Sequence, residues 1–220
     1  MSNDERHVAR SFEDARAEMV ESLRRSISDE RVLTAFAHVP REAFVPPERQ
    51  AEAYDDRALP IGHGQTISQP LMVAIMLQEL ALDGPEKVLD LGTGSGYQAA
   101  LLSELADTVV GVELVPELTE RARRTLRRLG YENVTVHQAG KELGWPDDAP
   151  YDAIVVAAAA PRVPQSLVAQ LAPGGRIVIP VGERTGQELI VVQSRPEGLT
   201  VTRKGRCGFV PLVGREAFSA

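Results

Sequence analysis

At 220 residues, 43% of them hydrophobic, the chain is long enough to bury a sizeable core, and none of its apolar runs approaches the roughly 20 residues that span a bilayer. A formal charge of −7 argues against the basic face that broad nucleic-acid binding demands, so neither nucleic acid nor membrane is an expected partner. One cysteine, Cys207, rules out an internal disulfide, and the scattered His7, His38, His63 and His137 offer no metal-ligand cluster.

The first thirty residues are dense in charge and lack the apolar centre of a secretory signal, which points to the cytoplasm. Apolar residues at helical spacing predict helices over 12–26 and 30–38, and the proline-marked stretch 39–47 closes this N-terminal helical layer. Residues 54–69 hold Pro60, Gly62 and Gly64 with little periodicity and read as an ordered loop or short hairpin, followed by a helix over 70–80. Strand-type and helix-type segments then alternate: strand 88–91, helix 97–105, strand 108–112, helix 116–129, strands 134–137 and 153–157, helix 164–171 and strand 176–181. Such alternation implies an α/β fold, a doubly wound and mostly parallel sheet with helices on both faces. The β-type runs 188–193 and 199–206, joined by the turn-rich 194–198, suit an antiparallel hairpin at the sheet edge. We expect one domain, comprising a helical layer (1–47), a core (48–181) and a hairpin with tail (182–220). Arg121, Arg123, Arg124, Arg127 and Arg128 fall on one helix with Glu117 and Glu120, and read as a solvated face.

The most informative segment is Val88-Leu89-Asp90-Leu91-Gly92-Thr93-Gly94-Ser95-Gly96. A short apolar strand runs into glycines at every second position and then into a helix. Glycine lets the backbone turn sharply and approach a ligand without a Cβ clash, while the first helical amides stay free to meet polar ligand groups. The next strand ends in Glu113, followed by Leu114, where a neighbouring parallel strand would set a carboxylate over the same crevice to accept both hydroxyls of a ribose. The spacing G-x-G-x-G is one residue shorter than the dinucleotide fingerprint G-x-G-x-x-G, which favours a ligand with ribose but no pyrophosphate. The purely structural alternative is a tight strand-to-helix turn beside a solvated acid.

This loop resembles the first motif of S-adenosylmethionine-dependent methyltransferases, with Asp90, Gly92, Thr93, Gly94, Gly96, Glu113 and Leu114 at cofactor positions. Further segments follow one family in order: Val39-Pro40-Arg41, Gly64-Gln65-Thr66-Ile67-Ser68-Gln69-Pro70, Ala149-Pro150-Tyr151-Asp152-Ala153-Ile154, Ala158-Ala159-Ala160-Pro161, Pro173-Gly174-Gly175 and Phe209-Val210-Pro211-Leu212. From about residue 30 to 214 the chain resembles the protein-L-isoaspartate O-methyltransferases. The resemblance implies a Rossmann-like enzyme that esterifies the free carboxylate of L-isoaspartyl residues in damaged proteins and peptides, using S-adenosylmethionine. It places Ser68 in the active site, Gln65, Thr66 and Ile67 over the cofactor, Ala139 and Gly140 near adenine, and Val210 and Leu212 beside the substrate, where strand amides would pair with an extended peptide. A carboxylate is already ionised at neutral pH, so methyl transfer to it needs no general base. Positioning dominates instead, because opposite charges partly cancel as the methyl moves between them.

Several alternatives stay open at this level. Ser68, two residues before Pro70, suits a helix N-cap as well as a catalytic hydroxyl. Trp145 is a lid over adenine or a plug on the core, and His63 lies near the proposed pocket. The family's Gly-Asp-Gly reads Ala139-Gly140-Lys141 here, so the acid that contacts the adenine amine is missing, and Glu42, a surface-type change, stands where the family often has histidine. A peptide aspartate O-methyltransferase of a biosynthetic pathway, or a cofactor-binding protein without turnover, would carry the same glycine loop. A monomer is favoured.

Overall fold

The computed structural model describes residues 11–219, so His7 lies outside the described residues. Helix α1 (Phe12–Leu23) is capped by Ser11, which accepts from the Asp14 amide, and α2 (Glu30–His38) by Asp29, which accepts from Arg31. Helix α1 stops three residues short of expectation. The Ser26 and Ile27 amides fold back onto the Leu23 carbonyl, burying Ile27 and turning the Ser28 and Asp29 amides toward the Gln78 side chain. Two 3-10 turns, Arg41–Phe44 and Pro47–Glu52, follow. Glu42 is not a surface residue: half-buried, it accepts from Arg16 at 3.1 Å and from the Tyr54 hydroxyl. Burial, aided by that carboxylate, pushes the Tyr54 phenol up to about 12.

The ambiguous stretch 54–69 is a hairpin of β1 (Leu59–Gly62) and β2 (Gln65–Ile67), with His63 and Gly64 both at positive φ in its two-residue turn. It leads into α3 (Pro70–Leu80), whose cap residue Gln69 makes no side-chain cap bond. Asp56 supplies that contact from a distance, accepting from the Leu71 amide at 3.0 Å and from Gln69 at 2.8 Å.

The main sheet is built from β3 (Lys87–Leu91), β4 (Thr108–Glu113), β5 (Val134–Gln138), β6 (Tyr151–Val156), β7 (Leu171–Gly182), β8 (Gln187–Arg195) and β9 (Gly198–Cys207), in the order β5-β4-β3-β6-β7-β8-β9. Strands β3 to β7 pair in parallel, while β8 and β9 add on antiparallel at one edge. Consecutive side chains alternate between two cores: Val88, Val109, Val155 and Val178 pack with α1 to α4, whereas Leu89, Val110, Ile154 and Ile177 pack on the other face.

Crossover helices are α4 (Tyr97–Ser103), α5 (Pro116–Leu129) and the short α6 (Gln165–Val168). The last falls short of the expected 164–171 because β7 begins at Leu171, opposite Tyr151, and bulges before Arg176 meets Ala153. The arginines of α5 are not all solvated: Arg121 donates to the Ile61 carbonyl at 2.8 Å and Arg123 to Val136 at 2.8 Å, tying the helix to β1 and β5. Among the described residues, no helix is long and apolar enough to cross a membrane.

Candidate active site

Strand β3 is flanked by β4 on one side and β6 on the other, so the connections proceed toward opposite edges of the sheet from it. Crossovers leave a crevice over the carboxyl ends of strands at such a point. A cleft lies there. Its floor is Leu91 with the loop Gly92-Thr93-Gly94-Ser95, and one wall comes from Glu113 and Leu114 at the end of β4 with Ala139 to Leu143 after β5. Opposite stand Gln65, Thr66, Ile67 and Ser68 from the hairpin, with Val210, Pro211 and Leu212 from the tail.

Backbone bonding fixes the loop. The Gly92 amide donates to Val112 at 2.8 Å, and Thr93 donates its amide to the same carbonyl and its hydroxyl to the Asp90 carbonyl at 2.9 Å. Glu113, only 6% exposed, accepts from the Gly94 amide with one carboxylate oxygen and from the Val115 amide with the other, both at 2.8 Å. Each oxygen retains a lone pair for a ligand hydroxyl. The floor lies close enough to β4 that a Cβ at Gly111 would meet the Thr93 hydroxyl at 2.6 Å. A lone glycine inside an otherwise β-branched strand is the signal that would have found this contact.

Arg41 reaches the site from beneath. Fully buried and without a carboxylate, it donates to the Ala53 carbonyl at 2.7 Å and to the Ser68 carbonyl at 2.8 Å, and its guanidinium lies 4.8 Å from the Tyr97 ring centre. Desolvation pulls its pKa down from the usual arginine range. Ser68 is thus tethered through its backbone, while its hydroxyl lines the cleft with no hydrogen-bond partner among the described residues.

A profile of the protein-L-isoaspartate(D-aspartate) O-methyltransferase (PCMT) family matches residues 14–217. The chain belongs to this family. It is accordingly a carboxyl O-methyltransferase dependent on S-adenosylmethionine. Protein-L-isoaspartate O-methyltransferase 1 of Syntrophobacter fumaroxidans is 53% identical over 207 residues, 93% of this chain and 97% of that protein. The protein-L-isoaspartate O-methyltransferase of Methanoculleus marisnigri is 50% identical, over 91% of this chain and 92% of its own. A solved protein-L-isoaspartate O-methyltransferase superposes with a TM-score of 0.82 at 30% identity, covering 91% of this chain and 67% of that one. A Plasmodium falciparum relative solved in complex with S-adenosyl-L-homocysteine gives 0.77 at 27% identity, covering 88% and 95%.

Most residues that the sequence singled out in this family member converge on the cleft: Gln65, Thr66, Ile67, Ser68, Gly92, Thr93, Gly94, Glu113, Leu114, Ala139, Gly140, Val210 and Leu212 all line it. Two do not. Asp90, expected at the cofactor, is completely buried behind the loop, where it accepts from the Gln98 side chain at 2.7 Å. Burial foremost, with a smaller push from Glu113, raises its carboxyl to about 6. Gly96 also lies off the cleft. At φ 91° it begins α4, and a Cβ there would press on Ala122 and Leu126 of α5 at 3.3 Å, so it serves helix packing.

The helix-cap reading of Ser68 fails, because Asp56 occupies that role and Gln69 is the cap residue. The tail is likewise less available than expected, since Ala159 donates to Val210 and Leu212 donates back to Ala159, pairing this segment with the Ala-Ala-Ala-Pro stretch. The Phe209 amide is taken by Gln187. Trp145 is a plug, stacked on His137 at 4.0 Å and absent from the cleft wall, and His63 stays exposed at the hairpin turn.

Proposed function

We propose that the cleft seats S-adenosylmethionine between the glycine loop and Glu113 and presents its methyl group toward Ser68, where the free carboxylate of an L-isoaspartyl residue is held. The supporting observation is that one cavity is lined on one side by Glu113 and the glycine loop and on the other by the Thr66–Ser68 segment. The residues fit the cofactor. Glu113 keeps lone pairs for ribose hydroxyls, and Leu91, Leu114, Ala139 and Leu143 form an apolar surface suited to a purine. Gly140 brings no acid to that surface, and the wall after β5 carries its carboxylate at Glu142 instead, beside packing and backbone groups.

When bound, S-adenosylmethionine supplies an electrophilic methyl group on a sulfonium. The protein's part is positional. Glu113 orients the ribose, the hairpin segment Gln65 to Ile67 covers the nucleoside, and Arg41 fixes the backbone from which the Ser68 hydroxyl donates to one oxygen of the acceptor carboxylate. The other oxygen is left to attack, and no proton is moved because the acceptor is already ionised. Ser68 acts as a donor, not as a nucleophile, and none of the described histidines lines the cleft.

We read the chain as one domain and a monomer, supported by a sheet with both faces covered. Methylation of an isoaspartyl peptide beside its aspartyl twin tests the function. Preference for the isoaspartyl form is expected, preference for the aspartyl form would indicate a biosynthetic peptide methyltransferase, and cofactor binding without either product would indicate a binding protein. Ser68→Ala should lower turnover about 100-fold, as a mispositioned acceptor does, with calorimetric cofactor affinity within a few-fold of the parent. Undiminished turnover would remove Ser68 from the mechanism.

A further inference from the structure

A second groove opens from the Ser68 side of the cleft and shares Thr66, Ser68, Ala157 and Val210 with it. It runs toward the turn between β7 and β8 and the end of β9, where the only charged side chains on its walls, among the described residues, are Arg184 and Arg206. In a chain of net charge −7, this wall carries a local positive charge.

Neither arginine has an ion pair among the described residues, whereas Arg203 pairs with Glu188, which also stands across the β8–β9 ladder from Arg206, and Lys204 pairs with Glu79 at 2.8 Å. Arg206 is exposed and has no ion pair or side-chain hydrogen bond among the described residues. Arg184 lies over the Phe218 ring at 5.2 Å and donates to the Ser219 carbonyl at 3.3 Å, meeting no carboxylate among the described residues. Asp56, the fixed carboxylate bonded to the rim residue Gln69, is consumed at the start of α3.

Taking the methyl-transfer reading above as its basis, we infer that this groove receives the peptide flank of the isoaspartyl substrate and that Arg184 and Arg206 select flanks carrying Asp or Glu. An isoaspartyl carboxylate held at Ser68 leaves the rest of its peptide to exit the cleft, and the groove is the passage that continues from that residue. An acidic side chain in the flank meets two guanidinium groups that form no ion pair among the described residues, each able to take it in a bidentate fork. A basic flank meets two like charges. Because both arginines are exposed, the discrimination is moderate and falls with salt.

The test compares isoaspartyl peptides identical except for the flanks, with paired Glu, Gln or Lys placed on either side of the isoaspartyl residue. On the side that the groove reads, the unaltered enzyme should show a KM about tenfold lower for Glu than for Lys, with kcat similar and the ratio shrinking in 0.3 M salt. R184E/R206E should invert that preference while leaving kinetics on the Gln-flanked peptide within about twofold. Equal KM values for all flanks, or an unchanged preference in the double variant, would overturn the assignment of the groove while the methylated Gln-flanked peptide still upholds the activity. Failure to methylate any of the peptides would overturn both.

Discussion

Replacing Glu113 by Gln exchanges one acceptor oxygen for an amino group at nearly constant shape. In the native protein the two carboxylate oxygens each hold one amide, Gly94 and Val115, both at 2.8 Å. A carboxamide can serve only one of them, leaving the other buried amide facing a second donor. An unsatisfied buried donor costs about 1–3 kcal/mol. For a chain of this length that corresponds to a fall in Tm of roughly 2–12 °C. The ribose should suffer separately: losing one charge-assisted hydrogen bond, worth about 1.5–3 kcal/mol, weakens nucleoside binding roughly 10- to 150-fold. Thermal denaturation reads the first effect and calorimetric titration with S-adenosylhomocysteine the second. A variant with unchanged Tm and affinity within twofold would refute the reasoning outright. A lowered Tm with intact affinity would mean that Glu113 only braces the loop and the ribose lies elsewhere.

Asp90 should make stability depend on pH. Its carboxyl is raised to about 6 by burial, so between the ordinary carboxylate range and pH 6 the folded state holds a proton that the unfolded state has lost, and stability falls as pH rises through that window. Asp90→Asn keeps an oxygen for Gln98 and removes the buried charge, and should be more stable than the parent by about 3 kcal/mol at pH 7 but not at pH 4. Urea denaturation from pH 4 to 8 checks this, and a stability difference that does not vary with pH would contradict it. Arg41→Met removes a buried cation and two carbonyl contacts at once, terms that oppose each other in stability. The segment it anchors should nonetheless drift, so turnover is expected to fall at least tenfold with cofactor affinity little changed; steady-state kinetics beside calorimetry would show it, and normal kcat would dismiss the tether.

How much of this was legible depended on how local each determinant is. Helices α2, α3 and α5 begin and end where apolar spacing and proline place them, and the parallel strands announce themselves as short apolar runs. That the glycine loop and Glu113 meet in one cleft was legible because their placement follows from spacing along one strand-loop-helix unit and its neighbour. Asp90 was misplaced because adjacency to the loop does not say whether a strand-end side chain points into the crevice or under it. Glu42 looked like a surface change, yet Arg16 and Tyr54, far from it in the chain, bury it.

From residue order alone came the alternating architecture, the nucleoside-type loop and the family resemblance, since each is written in short stretches whose periodicity and residue types act locally. Only the tertiary structure decided that Asp56 caps α3 in place of Ser68, that Arg41 anchors Ser68 from below, and that Arg184 and Arg206 line a groove adjoining the cleft. Those outcomes turn on hydrogen bonds and charge pairs between distant segments, and such pairs exist only once packing has chosen which backbone groups lose water and must find partners within the protein.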